Sequence, residues 1–88
     1  MNDGVLTSRI KEMERKGITK SPTAPPLGER LRSVDLTFRL LRPILIQVSD
    51  GTKRSEAIQQ IETEILNNLA RYGDFTLAYE YDRILSRI

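Results

Sequence analysis

The chain contains no cysteine and no histidine among its 88 residues. Without them it cannot form a Ser-His-Asp or Cys-His nucleophile, a disulfide, or a metal site with cysteine or histidine ligands. Its five glycines are scattered singly, so no glycine-rich phosphate-binding loop is present. We therefore expect no catalytic, cofactor-binding or metal site, and we expect that the protein is not an enzyme.

Long apolar runs are also missing. The most apolar stretch runs from Leu40 to Val48 and includes Arg42 and Pro43, whereas a membrane-spanning helix needs about 20 apolar residues. Charged residues are spread through residues 1–20, which is unlike a secretory signal. We expect a soluble protein, cytoplasmic or otherwise intracellular, with no membrane partner and no small-molecule substrate.

The chain is short, and nothing cross-links it. A domain of about 60 residues buries only about 60 % of its unfolded surface, so we expect a homodimer or a protein partner.

Charge is also uneven along the chain. Residues 1–54 carry eleven Lys/Arg and six Asp/Glu, a net +5, and residues 55–88 carry three and six, a net −3. The basic half leaves nucleic acid open as a partner.

Three of the four prolines lie between Gly17 and Gly28. Each proline fixes φ and removes a backbone donor, so this stretch cannot be regular structure. It predicts three segments: an amphipathic N-terminal arm at 1–16, a proline-rich linker at 17–28 and a helical core domain at 29–88. In the arm, apolar residues at helical spacing predict a helix that forms when it is docked: Leu6, Ile10 and Met13.

The linker contains Pro22, Thr23, Ala24 and Pro25. This tetrapeptide is similar to the P-T/S-A-P late-domain motif of viral structural proteins. The resemblance implies docking onto a ubiquitin-variant domain of the endosomal sorting machinery as a polyproline-II strip. A plain linker is the other interpretation, and we favour it.

Residues 27–49 carry the longest apolar pattern of the chain. Apolar residues recur at alternating steps of four and three, at Leu27, Leu31, Val34, Phe38, Leu41, Leu45 and Val48. This pattern predicts a helix that buries one face. Pro43 falls outside that face, so we expect a bent helix at about 28–49.

Two further helices follow a turn at residues 49–52. Helical spacing and Gly73 as a terminator predict helices at 54–72 and 74–87. Apolar residues cover most of the last helix, which suggests that it contacts both its own chain and a neighbour.

The fold expectation is all-α, a small three-helix bundle or helical dimer with an N-terminal arm. The expected function is non-enzymatic protein–protein interaction, as an assembly subunit, adaptor or regulator. Its contacts would involve Leu31, Val34, Phe38, Leu41, Phe75, Tyr79 and Leu85.

An alternative interpretation makes residues 34–40 a strand. Apolar and polar residues alternate through Ser33-Val34-Asp35-Leu36-Thr37-Phe38-Arg39-Leu40, which resembles the ribbon of ribbon-helix-helix proteins. Gly51-Thr52-Lys53-Arg54-Ser55-Glu56-Ala57-Ile58 resembles the start of that family's second helix. The resemblance implies a dimeric DNA-binding regulator of transcription or plasmid maintenance, with the ribbon in the major groove. Thr37 and Arg39 would then face bases, and the backbone near Lys53 and Arg54 would hold phosphate. The short first helix and Asp35 depart from the family's pattern.

Overall fold

The computed structural model describes residues 4–87, of which 77 % are helical. The helices are α1 (Val5–Arg15), α2 (Leu27–Arg30), α3 (Arg32–Gln47), α4 (Gly51–Tyr72) and α5 (Phe75–Ser86). No strand occurs within this range. The prediction of a small all-α bundle is therefore confirmed.

The alternative prediction of a strand at 34–40 is wrong, because these residues lie inside α3. The apolar pattern covers seven positions between residues 27 and 48, more than the short alternation within it. Val34 and Leu45 are buried and Phe38 and Leu41 pack against the core, whereas Leu27 is 47 % exposed. Pro43 is accommodated inside the helix because it lies on the exposed side. There it removes one backbone hydrogen bond without displacing a core side chain.

The helix ends follow from local capping. Helix α4 begins three residues earlier than predicted, because the Asp50 carboxylate accepts hydrogen bonds from the amides of Thr52 (2.9 Å) and Lys53 (3.3 Å). It ends at Gly73, whose φ of +68° is the left-handed conformation that glycine adopts most readily. Asp74 then caps α5 by accepting a hydrogen bond from the Leu77 amide.

The core is built around α4, which packs against α3, α5 and α1. Helix α1 also packs against α5. The N-terminal segment is therefore docked onto the bundle and supplies two of the buried apolar side chains. The buried apolar residues are Leu6, Ile10, Val34, Leu45, Ala57, Ile61, Ile65, Leu69 and Ala78.

The proline-rich segment lies against the turn between α4 and α5, and we call residues 18–26 the strap. The Ser21 amide donates a hydrogen bond to the Tyr72 carbonyl (2.9 Å). Arg30 donates from Nε to the Pro25 carbonyl (3.0 Å) and from its terminal nitrogen to the Asp74 carboxylate (3.1 Å). The strap is thus fixed at both ends to the helical bundle.

Candidate interaction surface

The inner face of α3 holds most of the predicted interaction residues. Val34 is 1 % exposed, while Phe38 and Leu41 are half-buried and pack against the core. The Phe38 ring stacks on Tyr81 of α5, with centroids 5.9 Å apart. Burial, with a smaller contribution from the Asp35 carboxylate, raises the pKa of Tyr81. These residues therefore join α3 to the rest of its own chain, and Leu31 is half-buried at the junction of α2 and α3.

The predicted face of α5 is also occupied within the chain. Phe75, Tyr79 and Leu85 are half-buried against the core. Tyr79 donates a hydrogen bond from its hydroxyl to Glu14 of α1 (3.1 Å). Desolvation, followed by that hydrogen bond, raises the pKa of Tyr79. Helix α1 thus covers part of the α5 surface that the apolar pattern had suggested for a neighbour.

A polar cluster joins α1, α4 and α5 beside this contact. Thr7 donates a hydrogen bond to the Asp82 carboxylate. Glu62 of α4 lies near Arg9 and Asp82, and desolvation is the largest cause that raises the pKa of its carboxyl group. The Arg9 charge opposes that effect and the Asp82 charge adds to it. The Asp82 carboxylate thereby links α5 to α1 through Thr7.

The outer face of α3 is apolar at three positions, and we call Leu36, Leu40 and Pro43 the outer stripe. Leu36 is 51 % exposed and Leu40 is 75 % exposed. With about 100° between successive helical residues, the stripe lies opposite the core-facing Val34 and Leu45. The sequence signal for the stripe is the presence of apolar residues outside the heptad pattern of α3, where Leu36 and Leu40 had been assigned only to a possible strand.

An acidic groove runs along one side of the outer stripe, between α3 and α4. Its lining includes Thr37 from α3 together with Glu56, Gln60 and Glu64 from α4. Glu56 is exposed and makes no ion pair with another described residue. The groove carries two negative charges and no positive one.

A basic groove runs along the other side, between α3 and α5. Phe38, Tyr81 and the 46 % exposed Ile84 supply its apolar lining. Its charged residues are Arg39, Arg42 and Asp35. The Asp35 carboxylate is 3.1 Å from the Arg39 guanidinium, which leaves Arg42 without a partner among the described residues. The net charge of this groove is therefore +1.

The residues predicted to contact DNA do not form one surface. Thr37 lines the acidic groove and Arg39 lines the basic groove, on opposite sides of α3. Lys53 and Arg54 lie in the first turn of α4, where the Asp50 carboxylate already accepts from the Thr52 and Lys53 amides. The phosphate site expected from the ribbon-helix-helix resemblance is thus occupied by a side chain of this protein.

The predicted linear motif lies in the strap. Pro22 and Thr23 are exposed, whereas Ala24 and Pro25 are half-buried. The Ala24 amide donates to the Ser21 carbonyl (3.3 Å), so the motif begins in a turn, and the Pro25 carbonyl accepts from Arg30. Docking as an extended polyproline-II strip would require the turn between Ser21 and Ala24 to open.

Comparison of the chain with known protein families, with curated proteins and with solved structures gave no match. Within residues 4–87, no helix combines the length and apolar character needed to cross a bilayer.

Proposed function

We propose that this protein is a non-enzymatic interaction subunit that binds a protein partner through the outer stripe of α3. The observation that supports the proposal most directly is the 75 % exposure of Leu40, beside Leu36 and Pro43, on a helix whose opposite face completes the core. Apolar side chains grouped in this way commonly mark binding surfaces, whereas singly scattered ones need no explanation. Ile46 (61 % exposed) and Ile84 extend the apolar surface toward α5.

Charge around the stripe adds support. Interfaces generally combine an apolar centre with a polar rim. Here both signs of charge surround the stripe, with Glu56, Glu64, Arg32 and Arg71 on the α4 side and Arg39 and Arg42 on the α5 side. The whole chain also lacks the histidine and cysteine that most nucleophilic and acid–base chemistry uses at neutral pH. A binding role is the function that these features support best.

The test identifies the proteins that co-purify with the tagged wild-type protein and compares them with those that co-purify with Leu40→Ser and with the matched control Val5→Ser. Val5 is 65 % exposed but lies on α1, away from the stripe. Partners lost with Leu40→Ser and retained with Val5→Ser support the proposal. Circular dichroism first establishes that the three proteins have equal helicity. If all three then retain the same partners, the proposal is contradicted.

A further inference from the structure

We infer that the surface of α4 and α5 beneath α1 is a second protein-binding site, and that its partner is a basic amphipathic helix that displaces α1. We call this surface, which includes Glu62, Tyr79 and Asp82, the α1 site. Helix α1 packs on α4 and α5 and buries Leu6 and Ile10. The α1 site is therefore shaped to hold a helix, and its occupant in this structure is a segment of the same chain.

The rest of the bundle is held together without α1. Helix α4 packs against both α3 and α5, and the Phe38 ring of α3 stacks on Tyr81 of α5. Among the described residues, all the buried apolar side chains except Leu6 and Ile10 come from these three helices. Departure of α1 would thus expose one surface of the bundle rather than dismantle it.

A hinge separates α1 from the strap. The strap is anchored independently of α1, because the Ser21 amide bonds to the Tyr72 carbonyl and Arg30 bonds to the Pro25 carbonyl. Between α1 and these anchors, Gly17 has a φ of +84°, and among the described residues no atom outside its chain neighbours lies within 4 Å of its Cβ position. Helix α1 can therefore swing away about residues 16–18 while the strap stays in place.

Helix α1 is also weak on its own. It has 11 residues, and isolated helices shorter than about 12–15 residues are marginal in water. Its N-cap, Gly4, makes no side-chain hydrogen bond, and its first turn contains no acidic residue, whereas Asp50 and Asp74 cap α4 and α5. Helix α1 therefore depends on the α1 site for its helical form, and a partner that binds the site more tightly would leave it unfolded.

The charges of the α1 site favour a basic partner. The Asp82 carboxylate accepts a hydrogen bond from the neutral Thr7 hydroxyl, and Glu62 lies close enough for the two carboxylates to repel each other. No ion pair joins either of them to another described residue, although Arg9 of α1 lies near Glu62. A cation at the position of Thr7 would attract both carboxylates, which a hydroxyl does not.

The pattern of α1 describes the rest of the partner. Leu6, Ile10 and Met13 are its apolar residues that pack on the core. The partner helix would therefore carry apolar residues at positions i, i+4 and i+7, with Lys or Arg at i+1 and i+3, the positions of Thr7 and Arg9.

Other occupants fit the α1 site less well. An acidic helix would place further negative charge against Glu62 and Asp82. A second copy of this chain would offer another α1, which fits no better than the α1 already in place. A basic helix from another protein gains an attraction that α1 lacks.

The experiment measures the fluorescence anisotropy of two labelled peptides mixed with the full chain, from about 1 μM to about 1 mM protein. One peptide has the sequence of residues 4–17, and the other is the same peptide with Thr7→Lys. The second peptide should bind roughly tenfold more tightly. Because the chain's own α1 competes equally with both, the ratio of the two dissociation constants reports on the α1 site itself.

Two variants of the full chain test displacement. Ile10→Ser removes a buried apolar contact of the chain's own α1, so both peptides should bind roughly tenfold more tightly than they bind the wild type. Met13→Ser, at a half-buried position, is the milder change and should act in the same direction. Circular dichroism should show that neither variant loses more helix than α1 contains.

Further variants of the full chain test the charge. Asp82→Asn should reduce the preference for the Thr7→Lys peptide from about tenfold to less than about threefold. Glu80→Gln is the matched control, because Glu80 is exposed on α5 and is 3.8 Å from Arg83 of the same helix; it should keep the preference. Leu40→Ser on the outer stripe should leave both dissociation constants unchanged, so the result does not depend on the proposed function.

Several outcomes would overturn the inference. These are no binding of either peptide to any form of the chain, equal binding of the two peptides, or a preference that survives Asp82→Asn. Unfolding of the whole bundle by both Ile10→Ser and Met13→Ser would also overturn it, because the α1 site must exist without α1. Wild-type dimers that disappear with Met13→Ser would replace the basic partner by exchange of α1 between two copies.

Discussion

The carbonyl oxygen of Thr19 lies where a side chain on Gly73 would have to be. A Cβ at Gly73 would overlap that oxygen and would lie 2.8 Å from the Lys20 amide nitrogen. The strap can approach the α4–α5 turn this closely only because residue 73 is glycine. Its φ of +68° favours glycine independently.

Gly73→Ala should therefore destabilise the fold by about 2–4 kcal/mol, from the left-handed conformation and the clash together. Gly17→Ala is the control, because its φ is +84° but nothing lies near its Cβ position. It should cost only about 1 kcal/mol. Hydrogen exchange at the Ser21 amide should accelerate with Gly73→Ala alone. Equal effects of the two substitutions would show that the strap does not contact Gly73.

Breaking the ion pair between Arg30 and Asp74 should destabilise the fold more than breaking a surface pair, because the two side chains are only 9 % and 13 % exposed. Asp74→Asn keeps a good helix cap but leaves the guanidinium with no carboxylate. We expect a loss of about 2–4 kcal/mol in the free energy of unfolding. Asp50→Asn makes the same change at the exposed cap of α4 and should cost less than about 0.5 kcal/mol. Urea denaturation measures the free energy of unfolding of both variants. Equal losses for Asp74→Asn and Asp50→Asn would contradict the prediction.

Glu62 should make the free energy of unfolding depend on pH. Its pKa is raised from 4.5, mainly by desolvation, so the folded state holds the proton more tightly than the unfolded state. The destabilising effect of its charge is absent below pH 4.5 and develops as the pH rises through the folded-state pKa.

Glu62→Gln should consequently stabilise the protein at pH 7 and make no difference at low pH. Glu29→Gln removes the same charge at an exposed position on α2; it is the control and should not stabilise the protein at pH 7. The measurement is the free energy of unfolding between pH 3 and pH 8. A Gln variant that is less stable than the wild type at pH 7 would contradict the assignment.

The two faces of α3 should respond differently to truncation. Phe38→Ala removes a half-buried ring that stacks on Tyr81, so it should lower the free energy of unfolding by about 2–3 kcal/mol. Leu40→Ser acts on an exposed position and should change it by less than about 0.5 kcal/mol. Denaturation at low protein concentration separates this effect from association. If Leu40→Ser lowered the free energy of unfolding more than Phe38→Ala, the assignment of Phe38 to the core-facing side of α3 and of Leu40 to the exposed side would be wrong.

The longest apolar pattern of the sequence does not reveal the candidate surface, because Leu36, Leu40 and Pro43 lie outside that pattern. Val34, Phe38 and Leu41 were correctly placed on one face of a helix, and their use as an intermolecular contact stays a prediction. Leu36 and Leu40 lie outside that pattern and were counted as part of a possible strand. Apolar residues on the second face of a predicted helix are therefore the sequence signal for such a surface.

The helical class and the boundary between α4 and α5 at Gly73 and Asp74 could be predicted from local patterns, whereas the start of α4 at Gly51 and the break between α2 and α3 at Leu31 could not. Helical periodicity is a local property, and Asp50, Gly73 and Asp74 act on backbone groups within a few residues of themselves. What covers each apolar face depends on how distant segments pack together. Helix α1 covers Tyr79, and α5 covers Phe38, although these partners lie 65 residues and 43 residues away along the chain. Periodicity shows which residues share a face, but only the packing of distant segments leaves Leu36 and Leu40 uncovered.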